Sequence, residues 1–268
     1  MRTFDCFLWS GEWDLLDLRL ELLSDVVDTF VLVEGDRSFR GRAKPLVFDP
    51  ARYPQIRYVP VTDFPVYPGD PWAYEYFQRR AILRGLYDAE PEDRILVSDA
   101  DEIINPAQLA SDDPTPRMYD LDLYYYWLDC RVVGWPAYGP FQVPFYRLID
   151  PAVLRKAVCL WHSDVPVLRH LAAQVIGDWT GTDRNAGWSF CFVESPEAMQ
   201  RKIRDFSHDE LDTTAISDLA YLAECRNDLR DLWDRPLVIE QGVAPFAVQG
   251  FAQRHPELCR RLDTVATV

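Results

Sequence analysis

The sequence predicts an α/β protein, and three observations carry that prediction. Short apolar runs that read as buried strands alternate with helical patterns over the first hundred residues. Two of those runs end on a carboxylate, Glu34 and Asp99. From Leu121 onward the texture changes to aromatic, strand-like segments punctuated by Gly134, Pro136, Gly139 and Pro140. Alternating strands and helices favour a parallel, Rossmann-like sheet flanked by helices, because a parallel strand pair needs a crossover connection. The aromatic segments add antiparallel strands and make the sheet mixed.

Each element has its own signal. Phe4 to Trp9 is an apolar strand stopped by Ser10-Gly11, and Leu15, Leu16, Leu18, Leu20, Leu22 and Leu23 then give a broad helical face. Thr29 to Glu34 is a second strand, ended by Gly35-Asp36, and Gln55 to Pro60 is a third. A basic loop from Arg37 to Lys44 lies between them. Asp70-Pro71 is an N-cap and first-turn pair for a helix running to Gly85, and Arg94 to Ser98 is the next strand. Tyr124 to Leu128 and Pro144 to Ile149 read as aromatic strands, Ser195-Pro196-Glu197 opens a helix toward Phe206, and Asp212 to Trp233 reads as helix. His255 to Leu262 adds a short final one. The expected organisation is a single domain, 1–268, with a ligand-binding half (1–120), a second half for the other substrate (121–210) and a helical tail (211–268).

Charge narrows the function classes. The chain of 268 residues carries 43 acidic and 28 basic side chains, a formal charge of −15. Such a field repels nucleic acid and anionic membrane, and no basic run overrides it. An acidic protein that binds a nucleotide diphosphate needs a divalent cation or a few placed Arg and Lys side chains. The six cysteines are scattered without a C-x-x-C pair and read as reduced, mostly buried thiols. No stretch approaches the roughly 18 apolar residues of a membrane span, and the N-terminus lacks a signal peptide's apolar core. The expected setting is a bacterial cytoplasm, with peripheral membrane contact the closest approach to lipid.

Asp99-Ala-Asp101-Glu102 follows directly on the buried run Ile95 to Ser98, so its carboxylates emerge at the carboxyl end of a strand, where parallel sheets offer their ligand crevice. Two carboxylates two residues apart can face one Mg²⁺ or Mn²⁺ that also accepts phosphate oxygens; a solvated acidic turn has the same pattern. His208 is the candidate third ligand, against the structural role usual for a lone histidine. Glu34 can accept hydrogen bonds from a nucleoside, Lys44 in the basic loop can meet a diphosphate, and Gln78 and Arg79 sit on the helix leading into the Asp99 strand. Gly187-Trp188 pairs a permissive turn with an indole suited to stacking on a sugar ring, or to core packing.

Taken in order, Asp5-Cys-Phe, Glu12 to Leu20, Val26 to Glu34, Gly41 to Leu46, Gln78-Arg79, Ser98 to Ile103, Ala186 to Trp188 and Lys202 to His208 resemble glycosyltransferase family 17, the β-1,4-mannosyl-glycoprotein β-1,4-N-acetylglucosaminyltransferase family. The likeness spans roughly residues 3–210. It implies a GT-A-type fold, a UDP-sugar donor with GlcNAc as the sugar, a divalent metal (Mn²⁺ or Mg²⁺) on Asp99, Asp101 and His208, and inversion at the anomeric carbon. Inversion needs one general base, for which Glu194 and then Asp183 are the candidates. Donor contacts fall to Glu34, Lys44, Gln78, Arg79 and Asp99, and acceptor contacts to Gly187 and Trp188. Arg80 and Ser189 depart from the family's Asn and His, which leaves the acceptor open between a glycan and a lipid-linked saccharide. Two rivals come from other classes: a non-catalytic nucleotide-sugar or carbohydrate-binding module, and a phosphatase of the haloacid dehalogenase type, whose D-x-D usually lies near the N-terminus.

Overall fold

The structure is a computed structural model and describes residues 1–67, 70–179, 186–208, 212–213, 216 and 218–260. In chain order the elements are β1 (Thr3–Leu8), α1 (Trp13–Leu23), β2 (Thr29–Gly35), β3 (Ile56–Val61), α2 (Pro71–Arg80), β4 (Arg94–Asp99), β5 (Glu102–Ile104), β6 (Arg117–Tyr125), β7 (Arg131–Val132), β8 (Ala137–Pro144), α3 (Pro151–Trp161), α4 (Pro166–Ile176), β9 (Gly187–Cys191), α5 (Pro196–Asp205), α6 (Leu219–Asp228), β10 (Ile239–Glu240) and α7 (Gln249–Arg254). The fold is α/β: a mixed sheet flanked by helices.

The sheet runs β10-β7-β6-β8-β4-β1-β2-β3. Strands β3, β2, β1 and β4 are mutually parallel, and β8 joins β4 antiparallel. The chain lays β2 and β3 on one side of β1 and then returns to place β4 on the other. Ligand crevices open at such a reversal, outside the carboxyl ends of the strands. Every residue of β1 is buried, as a central strand covered on both faces requires. Gly85 permits the close approach of the turn after α2, since a Cβ there would lie 2.3 Å from Val31 Cγ1.

Two apolar clusters cover the two faces of the sheet, one built on α1 and the other on α3 and α4. A third lies under α5 and α6, around Tyr125, Tyr126 and Phe192. Helices α2, α3, α5 and α6 each begin at a side chain, Asp70, Asp150, Ser195 and Asp218, that accepts a hydrogen bond from a first-turn N–H.

Three expectations change. The aromatic strand expected at Pro144 to Ile149 lies upstream as β8, because Pro144 closes the strand and Phe145 to Arg147 turn as a 3₁₀ helix, Phe145 donating to the Asp93 carbonyl at 2.9 Å. The long helix expected from Asp212 is confined to α6, which starts at the Asp218 cap and ends where Leu229 turns left-handed at φ 54°. The tail, expected to be helical, also supplies the edge strand β10, paired antiparallel with β7 through Ile239 and Val132. All six cysteines are free thiols, and four of them are buried. No helix among the described residues is long and apolar enough to cross a membrane.

Candidate active site

The site stands on the carboxyl ends of β1, β2 and β4, and its centre is the bend from Asp99 to Glu102. Asp99 lies in register with Leu8 of β1. Beneath the bend lies Arg19 of α1, fully buried, its guanidinium forked onto the Asp5 carboxylate at 2.6 and 2.7 Å. The same group donates to the carbonyls of Asp99 and Glu102 at 3.1 and 3.0 Å and to Ser98 Oγ. A buried charge persists only when paired and fully hydrogen-bonded, and here that requirement fixes the bend from below.

From above, Arg79 Nη2 stands 2.8 Å from Asp99 Oδ1 and Arg155 Nη2 stands 2.9 Å from Asp99 Oδ2. Arg155 also forks onto Glu102 at 2.7 Å to each oxygen, and Glu102 Oε2 accepts the Asp99 N–H at 2.8 Å. Burial alone would raise the Asp99 carboxyl, but Arg155, Arg79 and Lys202 outweigh it and hold Asp99 well below the usual carboxylate range. The Arg155 guanidinium lies where a Cβ on residue 139 would stand, 2.2 Å away, so Gly139 leaves it room. Lys202 of α5 reaches back across the cleft, its Nζ 2.8 Å from Asp101 Oδ2.

Arg79, Asp99, Asp101, Arg155 and Lys202 line one cavity of about 820 Å³. Glu34, Lys44, Gln78, Arg79, Asp99, Asp101, Glu194 and His208, eight of the side chains expected from the sequence, share its wall. Several are committed internally. The buried Glu34 carboxylate accepts the N–H groups of Val47 and Phe48 at 2.8 and 3.2 Å and the Tyr58 hydroxyl at 2.7 Å, which ties the segment after the basic loop to β2. Gln78 donates to the Val33 carbonyl at 3.0 Å, and Lys44 donates to Ser10 Oγ at 2.6 Å. The His208 ring meets Trp72 edge-on, with centroids 4.7 Å apart.

The other expected residues fall elsewhere. Trp188 is 6% exposed in the core, because β9 is paired with β5 on one side and β6 on the other, and it does not line the cavity. Gly187 serves close backbone packing, since a Cβ there would lie 2.3 Å from the Ile103 carbonyl oxygen. Asp183 lies outside the described residues. Sequence reasoning missed Arg155, Arg19 and the pairing of Lys202. The Asp150-Pro151 pair that opens α3 repeats the Asp70-Pro71 signal and could have located the helix, though not what Arg155 touches.

The metal ligands expected from the sequence are not gathered. Among the described residues no three His, Cys, Asp or Glu side chains form a group that could hold an ion. Asp99 is enclosed by two guanidinium groups and Asp101 is paired with an ammonium. With those pairs in place, the bend offers an ion no ready-made set of ligands among the described residues.

Glu194 differs from these paired carboxylates. It follows Phe192, whose left-handed backbone at φ 56° turns the chain out of β9, and it precedes the Ser195 cap of α5. Its Oε1 is buried with no hydrogen-bond partner. Burial, with Glu12 and Asp101 nearby and only partial relief from Lys202, pushes its carboxyl up to about 7. A carboxyl so poised can exchange a proton near neutrality.

The family model of glycosyltransferase family 17 matches residues 1–129. Curated proteins from Homo sapiens and Rattus norvegicus, both named beta-1,4-mannosyl-glycoprotein 4-beta-N-acetylglucosaminyltransferase, are each 33% identical over an alignment of 118 residues that covers 38% of this chain. The similarity to family 17 thus lies in residues 1–129. The chain spans about a fifth of the length of these relatives, 22% and 21%. The segment that matches the family model holds the Asp99–Glu102 bend, Arg79 and Arg19, whereas Arg155, Glu194 and Lys202 come from beyond it. Among solved structures, the 2-C-methyl-D-erythritol 4-phosphate cytidylyltransferase of Francisella tularensis covers 69% of this chain and 93% of its own at 10% identity and a TM-score of 0.32, a likeness too slight to support an inference.

Proposed function

We propose that this chain is an inverting glycosyltransferase that moves a hexose, GlcNAc, from a UDP donor to a hydroxyl of a saccharide, free in a glycan or linked to a lipid. The observation that carries the proposal is Glu194: a half-buried carboxyl whose Oε1 is buried and unpartnered, raised to about 7, on the wall of the cavity that Asp99 and Asp101 also line. The family 17 match supplies the reaction class.

In the proposed reaction Glu194 takes the proton of the acceptor hydroxyl as the oxygen attacks the anomeric carbon. The bond from that carbon to the diphosphate oxygen breaks on the opposite face, and UDP leaves with the electron pair. Lys202, Arg155 and Lys156 line the cavity and offset the charge that develops on the diphosphate. Single displacement needs no covalent intermediate. A divalent ion has no ready-made set of ligands here, and no step is assigned to one. Asp101 and His208, on the wall of the same cavity, are the side chains that would meet an ion arriving with the donor's phosphate oxygens.

The test is donor consumption. The protein is incubated with a panel of UDP-sugars, Mn²⁺ and saccharide acceptors, and UDP release is followed. Release that depends on Glu194, with loss in Glu194→Gln and retained UDP binding, is the expected result. UDP binding without consumption of any donor would replace the enzyme by a nucleotide-sugar-binding module, and absence of both overturns the proposal.

A further inference from the structure

We propose, resting on the glycosyltransferase reading, that a second cavity on the far side of Glu194, between the start of α1, the start of α5 and the turn Pro256–Leu258, is the acceptor subsite and takes an uncharged saccharide. The cavity encloses about 410 Å³, within the range of small-molecule sites, about 300–1,000 Å³. It shares Glu12, Trp13, Glu194 and Lys202 with the larger cavity, while Asp99 and Asp101 line the larger one alone. A base for direct displacement must touch the acceptor hydroxyl and still lie beside the donor's anomeric carbon. Two carboxylates stand in the wall common to the two cavities; Glu12 accepts the Ser10 N–H at 2.7 Å, and Glu194, with an unpartnered Oε1, is the one that meets both conditions.

The lining fits a sugar. Trp13 is half-buried, its ring met edge-on by Trp9 at 4.7 Å and stacked on Tyr53 at 6.1 Å, so it is held rigid as a flank for the C–H face of a pyranose. Phe190 and Phe192 extend the apolar wall. Asp14 and Glu257 add carboxylates on the side away from the donor, where hydroxyl groups can donate to them. Arg226 lies over the Trp127 ring at 3.4 Å with its Nε buried and unpartnered, an N–H free to meet a ligand oxygen.

Charge separates the two cavities. The smaller is lined by Glu12, Asp14, Glu194 and Glu257 against Lys202 and Arg226, an acidic excess that disfavours anionic ligands. The larger adds Arg37, Lys44, Arg79, Arg155, Lys156 and Arg201 against Glu34, Glu75, Asp99, Asp101 and Asp205, so its acidic excess is gone and its cations suit a diphosphate. The donor therefore fits only the larger cavity. This assignment replaces Gly187 and Trp188 as acceptor contacts.

The experiment uses the full chain with UDP present. Saturation-transfer NMR reports binding of the uncharged probes N,N′-diacetylchitobiose and cellobiose and of the charged control sialyllactose, and calorimetry reports UDP affinity. Asp14→Arg and Glu257→Lys alter exposed positions at a helix start and a surface turn. At least one uncharged disaccharide is expected to bind the wild type, to lose affinity tenfold or more in both variants, and to outbind sialyllactose, with UDP affinity held within twofold. Failure of both disaccharides to bind the wild type, binding unchanged in either variant, or equal binding of sialyllactose overturns the proposal. Absence of UDP binding or of donor consumption would instead defeat the glycosyltransferase reading, whatever the disaccharides do.

Discussion

Arg155 Nη2 stands 2.9 Å from Asp99 Oδ2, so a helix beyond the segment similar to family 17 closes over the strand-end carboxylate inside it. Both Glu102 oxygens lie 2.7 Å from the same guanidinium. Replacing Arg155 by Met would leave two carboxylates facing each other, relieved by Arg79 and, more weakly, by Lys202. Removing one partner of a buried ion pair costs about 3–5 kcal/mol, and because Asp99 keeps 35% exposure the expected loss is about 2 kcal/mol. Urea unfolding of Arg155→Met against wild type measures it, and an unchanged midpoint would contradict the arrangement.

Glu194 sets the pH dependence. Its carboxyl, raised to about 7, must be ionised to accept a proton, so turnover is expected to fall as pH drops through about 7. Glu194→Gln should lower turnover by roughly 10²–10⁴-fold, the usual contribution of a general base. A pH–rate profile of wild type and variant decides this; a flat profile between pH 5.5 and 8.5 counts against the role.

The same residue makes a stability prediction with a definite sign. A carboxyl whose folded value is raised above its unfolded one stabilises the fold fully below the unfolded value, near 4.5, and loses that contribution as pH rises through about 7. At pH 8 the ionised Glu194 is therefore a burden on the native state. Glu194→Gln should melt higher than wild type at pH 8, by about 3 °C, with the gap closing toward pH 5. Scanning calorimetry at the two pH values reads it.

Arg19 should resist even conservative change. Its guanidinium serves the Asp5 carboxylate, Ser98 Oγ and the carbonyls of Asp99 and Glu102 at once, a fork that a lysine cannot reproduce. Arg19→Lys is expected to destabilise the protein by about 3 kcal/mol and to weaken UDP binding by loosening the bend. Denaturant unfolding and calorimetry would show the two effects together.

Metal affinity should depend on the donor. With Asp99 and Asp101 already paired to cations, Mn²⁺ alone is expected to bind weakly, and to tighten at least tenfold when UDP supplies phosphate oxygens. Titration of Mn²⁺ with and without UDP checks this. Tight binding of the ion to the free protein would mean that Lys202 yields Asp101 readily.

The amino-acid sequence by itself determined the α/β class and the strand that ends on Asp99, because those features are written in local patterns: apolar runs with carboxylates at their ends, and Asp-Pro pairs that open helices. Glu34, Gln78, Arg79, Asp101 and Glu194, all named from the sequence, line one cavity. What only the tertiary structure decided is which charges meet. Arg155 is 56 residues from Asp99 and Lys202 is 101 from Asp101, and no periodicity encodes such a contact. Trp188 carried the sugar-stacking signal and lies in the core, while Trp13, with no such local signal, stands at the cavity. The physical reason is burial: sheet pairing on both flanks of β9 withdraws one indole from solvent, and the reversal of strand order beside β1 leaves the other at an open edge.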